Sequence, residues 1–250
     1  MTTLLYAYDN VVATRYLGRA PYPFDITLLP SLVPGMILQA DFHAGDPDSR
    51  IRNRVGASMS VVGSPTLGTY GITLNEANHI DTGLDVASYN DSDMTMISIL
   101  NWPGAVSSVM GRVQINAPQR TRGIQTSSAS WVGKWLTAAG AAQQAAVTAN
   151  TPAGMSEMVA ARFVRDNGSG SMLTKLKIPR MVQEVTTTAA AAPYPMQATN
   201  MVLGASVDGA TTGSIFMRAA LMFNRAITDA ELATVYTYYQ NYFALKNISI

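Results

Sequence analysis

Short apolar runs, each ended by turn-forming residues, dominate this sequence from residue 36 onward. We predict strands at residues 36–42, 58–62, 71–74, 94–100, 107–113, 155–165, 172–178, 200–205 and 214–223. Residues 166–170 (Asp-Asn-Gly-Ser-Gly) predict a hairpin turn, after which Lys175 and Lys177 face away from Leu176 and Ile178. Many short strands at regular spacing predict an all-β antiparallel sandwich or barrel.

Two segments carry helix signals. Thr228 and Glu231 have the spacing of a capping box, in which each side chain bonds the other residue's backbone N–H. Apolar residues then recur at helical spacing up to about residue 245: Leu232, Val235, Tyr236, Tyr239, Tyr242 and Phe243. Residues 138–149 are rich in Ala and Gln, whose intrinsic propensity predicts a second helix.

The prolines are concentrated near the start of the chain. Residues 1–35 contain four of them and are predicted to form an N-terminal arm, although a lead-in strand packed on its own body explains them equally well. Residues 36–250 are predicted to form a single domain.

The first residues lack the basic and apolar parts of a signal peptide, so we expect synthesis in a cytoplasm without export. The uncharged stretches at 135–156 and 185–207 are too polar for membrane insertion.

Composition removes several classes of function. Charged residues make up 13% of the chain, about half of the ~25% of an ordinary globular protein, and the net charge is +1. This balance argues against nucleic acid as a partner. The absence of Cys excludes disulfides, thiolate metal sites and a Cys nucleophile. His43 and His79 are too few for a multi-histidine metal centre.

The C-terminal residues resemble a known family. Residues 223–231 (Phe-Asn-Arg-Ala-Ile-Thr-Asp-Ala-Glu), preceded by Asn-Met-Val-Leu-Gly-Ala at 200–205, are similar to the closing segment of concanavalin A-like lectin/glucanase domains of the laminin-G-like type. Residues 32–49 and 94–112 resemble an opening and a central strand pair of such domains in bacteriophage virion proteins. Met217 and Arg218 stand where the family usually has Gly and then a small or apolar residue. The resemblance implies a two-sheet antiparallel jelly roll with a short C-terminal helix.

Carboxylates are the first candidate site residues. Glycoside hydrolysis requires two of them flanking the scissile bond, and the E-x-D-x-x-E strand of glucanases on this fold does not occur here. Asp91 and Asp93 read more simply as a solvated turn, so we predict that the chain is not an enzyme. The family often holds calcium; Asp41, Asp46 and Asp48 are candidate ligands, although a turn explains them without an ion.

Aromatic and basic residues are candidates for binding. Trp102 lies at a predicted strand end, where a loop could display it to a sugar, and Trp131 and Trp135 could share one face of a helical turn; partial burial is the plainer alternative for each. Arg50, Arg52 and Arg54 alternate, so in a strand they would face one way, toward solvent or another subunit.

Two functions follow from the resemblance. The first is a non-enzymatic structural component of a bacteriophage particle (capsid decoration, collar or tail/fibre) that docks on other virion proteins and on copies of itself. The alternative is a carbohydrate-binding adhesin that recognises host surface glycans. No cofactor is expected apart from the candidate calcium ion.

Overall fold

Two antiparallel sheets pack face to face, and a C-terminal helix lies outside one of them, as the sequence predicted. The computed structural model describes residues 7–8, 11–12, 29–114, 121–151, 155–165, 169–187 and 192–250. In chain order the strands are β1 (Ala7–Tyr8), β2 (Val11–Val12), β3 (Met36–Asp41), β4 (Ser60–Val62), β5 (Thr66–Gly68), β6 (Gly71–Leu74), β7 (His79–Asp85), β8 (Met94–Asn101), β9 (Ser107–Arg112), β10 (Arg122–Thr126), β11 (Ser130–Leu136), β12 (Ala142–Thr148), β13 (Ser156–Arg165), β14 (Met172–Ile178), β15 (Gln183–Thr186), β16 (Asn200–Leu203) and β17 (Ile215–Phe223). The helices are α1 (Leu29–Leu32) and α2 (Asp229–Ala244).

The strand order defines the two layers. The seven-stranded sheet runs β12-β11-β10-β9-β16-β7-β4, and the eight-stranded sheet runs β15-β14-β13-β8-β17-β6-β5 with β3 also paired to β17. Strands β1 and β2 form a separate hairpin. The predicted hairpin between β13 and β14 is confirmed by their antiparallel pairing, although residues 166–168 of its turn lie outside the described residues.

The chain has a core on each face of the eight-stranded sheet. One apolar cluster fills the space between the sheets, where Trp131, Trp135 and Phe163 are buried. A second cluster lies between the outer face of the eight-stranded sheet and the helices, and includes Ile97 and Leu221. Strand β8 therefore contributes to both clusters, which explains its nearly continuous apolar sequence.

The helix predicted at residues 138–149 is wrong, because most of that segment is β12. Strand β12 pairs with β11 over its whole length, from Ser130 opposite Thr148 to Leu136 opposite Ala142. Its burial alternates, and only its core-facing side is buried. Cross-strand pairing and burial override the helical propensity of Ala and Gln in this segment.

The boundary of the predicted arm falls within packed structure. Leu29 and Val33 are fully buried in the cluster beneath the helices, so residues 29–35 are in contact with the domain. The division into an arm and one domain stays a prediction for residues 1–28. No helix in the described ranges is long and apolar enough to cross a membrane.

The predicted capping box at the start of α2 is confirmed. Thr228 Oγ1 accepts from the Glu231 backbone N–H at 3.2 Å, and Glu231 Oε2 accepts from the Thr228 backbone N–H at 2.7 Å. Arg225 adds two hydrogen bonds to the same carboxylate. The Arg225 guanidinium and the Thr228 N–H together hold the pKa of Glu231 at about 2, below its usual 4.5.

We predict that Glu231→Gln destabilises the protein in a pH-dependent way. A carboxyl whose pKa is depressed by folding contributes stability above its unfolded pKa and loses that contribution as the pH falls through its folded value. The variant should therefore melt below wild type above pH 4.5, and the difference should vanish as the pH approaches about 2. Thermal melting at several pH values measures this, with Asp48→Asn, an exposed carboxylate away from the cap, as the control. A pH-independent difference would contradict the assignment.

Candidate functional site

A buried polar contact fixes α2 on the sheet. Asp41 ends β3, and its Oδ1 accepts a hydrogen bond from the Tyr239 hydroxyl of α2 at 2.9 Å, while Oδ2 accepts from Arg54 Nε at 3.1 Å. Burial raises the pKa of Asp41, although the positive charge of Arg54 opposes that rise. At the other end of α2, Asp229 pairs with Arg162 of β13 at 2.7 Å. These contacts set where the last turn of α2 lies.

That last turn lies beside a group of aromatic and basic side chains on the outer side of the eight-stranded sheet. We call the group the Tyr70 patch; its members are His43, Tyr70, Phe216, Arg218, Tyr242 and Lys246. Tyr70 lies in the turn between β5 and β6, and Phe216 and Arg218 lie on β17. Lys246 follows the last turn of α2. The patch therefore joins three parts of the chain that are far apart in sequence.

Strand β17 has an irregularity at Arg218. The register between β17 and β8 shifts between Met217 and Ala219, so Arg218 is an extra residue in the strand. Met217 is buried in the cluster between the sheets, and Ala219 in the cluster beneath α2. Such bulges re-aim side chains and are frequent beside functional sites. Phe216 and Arg218 share the outer face of β17 by ordinary strand alternation, and the Arg218 guanidinium carbon lies 5.2 Å from the ring centre.

Two glycines hold the Phe216 ring in place. A Cβ atom on Gly68 would lie 2.8 Å from the nearest ring atom, and one on Gly71 would lie 2.6 Å from the ring. The ring therefore rests directly on the backbone of the β5–β6 hairpin. Because the glycines also flank the turn that carries Tyr70, the hairpin positions both aromatic rings.

Three neutral groups accept hydrogen bonds from Arg218. Nε donates to Ser156 Oγ at 2.6 Å, Nη1 to the Tyr70 carbonyl at 2.8 Å, and Nη2 to Asn101 Oδ1 at 3.4 Å. Burial lowers the pKa of Arg218. The guanidinium is thus half-buried and bound by hydroxyl, carbonyl and amide oxygens.

Lys246 and His43 complete the patch around Tyr70. The Lys246 ammonium lies 4.7 Å from the Tyr70 ring centre and 4.6 Å from that of Tyr242, which is cation–π geometry. The His43 and Tyr70 ring centres are 5.0 Å apart. Burial lowers the pKa of Lys246. Burial, followed by repulsion from Lys246, lowers the pKa of His43, while Asp46 acts in the opposite direction.

Trp102 is not displayed on a loop but is buried between the sheets. Trp102 is 9% exposed, and its ring packs edge-on against Trp131 with ring centres 4.7 Å apart. Trp131 and Trp135 lie on β11 rather than on a helical turn, and both are buried between the sheets. These three rings are core residues, with no free face on which a sugar could stack.

The three candidate calcium ligands have separate surroundings. Asp41 binds Arg54 and Tyr239 as described above, and Asp46 pairs with Arg52. Asp48 is exposed in a short 3-10 helix. Within the described residues no three His, Asp or Glu side chains come together in a way that could hold a metal ion.

The other predicted polar residues have structural contacts. Asp91 pairs with Arg165, and Asp93 accepts a hydrogen bond from the Arg165 backbone N–H at 2.7 Å. His79 Nδ1 lies 3.0 Å from the Glu76 carbonyl oxygen. The two aspartates therefore fix the start of β8 against the end of β13.

Arg50, Arg52 and Arg54 do not lie in a strand, so the condition under which they would share one face is not met. Arg50 ends the 3-10 helix, and Arg52 and Arg54 follow in a segment without regular structure. Two of the guanidiniums are held in place by carboxylates, Arg52 by Asp46 and Arg54 by Asp41. The turn at residues 43–46 precedes this segment, and the ion pairs hold it in place.

The Tyr70 patch was not predicted from the sequence. The local signal was the departure from the family pattern at Arg218, together with Gly68 and Gly71 around Tyr70. The convergence with Lys246 has no local signal, because it depends on where α2 ends relative to the β5–β6 turn.

Solved structures with a similar fold include distant matches to two kinds of protein. The binding domain of botulinum neurotoxin DC in complex with SialylT superposes with a TM-score of 0.60 and 10% identity, over 82% of this chain and 52% of that chain. A sialidase of Trypanosoma rangeli in complex with sialic acid gives a TM-score of 0.55 and 12% identity, over 83% of this chain and 33% of that one. The chain thus spans about half of the neurotoxin domain and a third of the sialidase. No family model and no curated protein matches the sequence.

These matches define the fold class. The chain is a two-sheet antiparallel β-sandwich with a C-terminal helix, and the matched parts of those two proteins share this sandwich fold. At this level of identity the likeness carries the fold alone. These comparisons do not bear on a bacteriophage origin, so the resemblance of residues 32–49 to domains of phage virion proteins stays a prediction.

We predict that Gly68→Ala destabilises the protein through the Phe216 ring. The added methyl would force the ring to move, at a cost of about 1–3 kcal/mol. In a Phe216→Ala background the same substitution should be nearly neutral, because its other neighbour, the Gly71 carbonyl oxygen, is 3.7 Å away. A double-mutant cycle by chemical denaturation measures the coupling. Additive effects would mean that the ring does not rest on this hairpin.

Proposed function

We propose that this protein is a non-enzymatic glycan-recognition module and that the Tyr70 patch binds the sugar. The convergence of half-buried aromatic rings with fixed polar groups on the outer side of the sheet carries this proposal. Sugar sites combine an aromatic face, on which the apolar side of a sugar ring stacks, with polar groups that bind hydroxyls. Tyr70 and Phe216 provide the rings, and Arg218 and Asn101 lie next to them.

The rigidity of the patch supports a binding role. Phe216 rests on a glycine hairpin, Tyr70 lies in the turn of that hairpin, and the Tyr70 carbonyl is bound by Arg218. Fewer side chains then have to be ordered when a ligand binds, which reduces the entropic cost of association.

The structural neighbours support the same class of ligand. One is a binding domain in complex with SialylT. Another match, with a TM-score of 0.56 and 11% identity, is a structure of botulinum neurotoxin type C, whose cell entry is dependent upon interaction with two ganglioside molecules. This sandwich fold hosts varied activities, so the argument for a sugar rests on the patch itself.

The surroundings of the four glutamates argue against hydrolysis. Glu76 accepts hydrogen bonds from Ser206 and Thr211. The others each have a basic partner: Glu157 with Arg180, Glu184 with Arg162, and Glu231 with Arg225. Most glycosidases use two carboxylates that face one substrate. Each glutamate here stabilises a loop, strand or helix end instead, which supports a binding module over an enzyme.

Membership of a virion remains a prediction from the sequence resemblance, as does docking on other virion proteins or on copies of the chain. A sugar-binding module and a virion protein are compatible roles, and binding to a host surface glycan would connect them.

We predict that the Tyr70 patch accounts for glycan binding. Tyr70→Ala and Phe216→Ala should each weaken binding roughly thirtyfold, corresponding to about 2 kcal/mol for loss of a central aromatic contact. Tyr70→Phe should stay within about twofold, because it keeps the ring face. Titration against a panel of neutral and acidic bacterial polysaccharides, with and without calcium, measures this after thermal melting has shown that each variant is folded.

Tyr194→Ala is the matched control, since Tyr194 is half-buried and lies beside β11, outside the patch. Binding that survives both alanine substitutions in the patch, or a wild-type protein that binds no glycan of the panel, would overturn the proposed function.

A further inference from the structure

The charge of Arg218 is balanced differently from that of most arginines in this structure. Six described arginines pair directly with a carboxylate: Arg52, Arg54, Arg162, Arg165, Arg180 and Arg225. All three hydrogen bonds of Arg218 go to neutral oxygens. A half-buried cation is stabilised best by an anion with matching geometry. Within the described part of the chain, no carboxylate forms an ion pair with Arg218.

We propose, on the basis of the function argued above, that the glycan is acidic and that its carboxylate binds at Arg218, with Lys246 as a second cationic contact. Both cations lie at Tyr70, since Arg218 binds its carbonyl oxygen and Lys246 lies over its ring. A sugar stacked on this aromatic surface would have its carboxylate within reach of both. A neutral sugar would leave the charge of Arg218 uncompensated.

Arg218 also has donors left for this role. A guanidinium carries five N–H groups, and three of them bond Ser156, Tyr70 and Asn101. One N–H remains on each of Nη1 and Nη2. Two donors on one planar group match the two oxygens of a carboxylate, a geometry that a lysine does not offer.

Arg122 shows the contrasting case. It too forms no ion pair among the described residues, but it is 1% exposed and donates to the carbonyls of Tyr89 and Asn90. Its guanidinium holds a loop inside the protein and is out of reach of a ligand. Arg218 differs because it lies on the outer side of the sheet, next to the half-exposed rings.

The test compares each acid with its neutral counterpart. Calorimetric titrations of the whole chain would use sialyllactose and trigalacturonate, each against its methyl ester, with lactose as a further neutral sugar. We expect wild type to bind at least one of the acids about tenfold or more tightly than its ester. Arg218→Gln should reduce this preference to within about twofold, and Lys246→Met should reduce it in part.

Lys175→Gln is the matched control, because it removes one positive charge from β14, outside the patch, and should leave the preference unchanged. Arg218→Lys keeps the charge without the fork and should retain only part of the preference. Should Arg218→Gln melt early, the Nε–H NMR signal of Arg218 in the wild-type protein provides a second readout, and it should shift with the acid and not with the ester.

The outcomes separate this inference from the proposed function. Equal affinity for acid and ester, binding of neutral sugars alone, or an acid preference that Arg218→Gln leaves intact would each overturn the acidic ligand. In those cases a loss of binding in Tyr70→Ala would still support a sugar site at the patch. A wild-type protein that binds no glycan overturns both.

Discussion

The packing of α2 against the outer face of the eight-stranded sheet is the constraint on which the rest of the structure depends. It buries the outer side of β8, β13 and β17 and creates the second apolar cluster. Apolar packing alone would let the helix slide along the sheet. The polar contacts near its two ends prevent this and so fix the position of its last turn. Tyr239 binds Asp41 near one end, and Asp229 binds Arg162 at the other. The position of the Tyr70 patch follows from this packing, since Tyr242 and Lys246 reach it only from the end of α2.

Most of the fold could be predicted from the sequence because its signals are local. Alternation marks strands such as β14, where every second residue is buried, and the Thr228–Glu231 capping box marks the start of α2. The helix predicted at residues 138–149 was wrong because the deciding signal there is not local. Its Ala and Gln residues favour a helix when isolated, and only the neighbouring β11 makes a strand more stable. Intrinsic propensity could not reveal that neighbour.

The candidate site could not be predicted to the same extent. Tryptophan is the residue most often expected to stack on a sugar, yet Trp102 is buried against Trp131. Trp102 directly follows the last residue of β8, and its ring lies inside the sandwich. The candidate rings belong instead to the half-buried Tyr70 and Phe216, which are inconspicuous in the sequence. Only the tertiary structure distinguishes them. Two glycines let the Phe216 ring lie on a hairpin, and β17 and the end of α2 place cations next to the two rings.

Low charge density makes Arg218 informative. In a chain with 13% charged residues, six of the described arginines pair with a carboxylate, and Arg218 belongs to the minority that do not. Arg218 also braces the fold, because it joins the Tyr70 turn to Ser156 and Asn101. Arg122 is also a brace with neutral acceptors, but it is 1% exposed, whereas Arg218 lies on the outer side of the sheet in a half-buried position. An anion bound at the Tyr70 patch, as proposed above, would supply a counter-charge to Arg218 that the described residues do not.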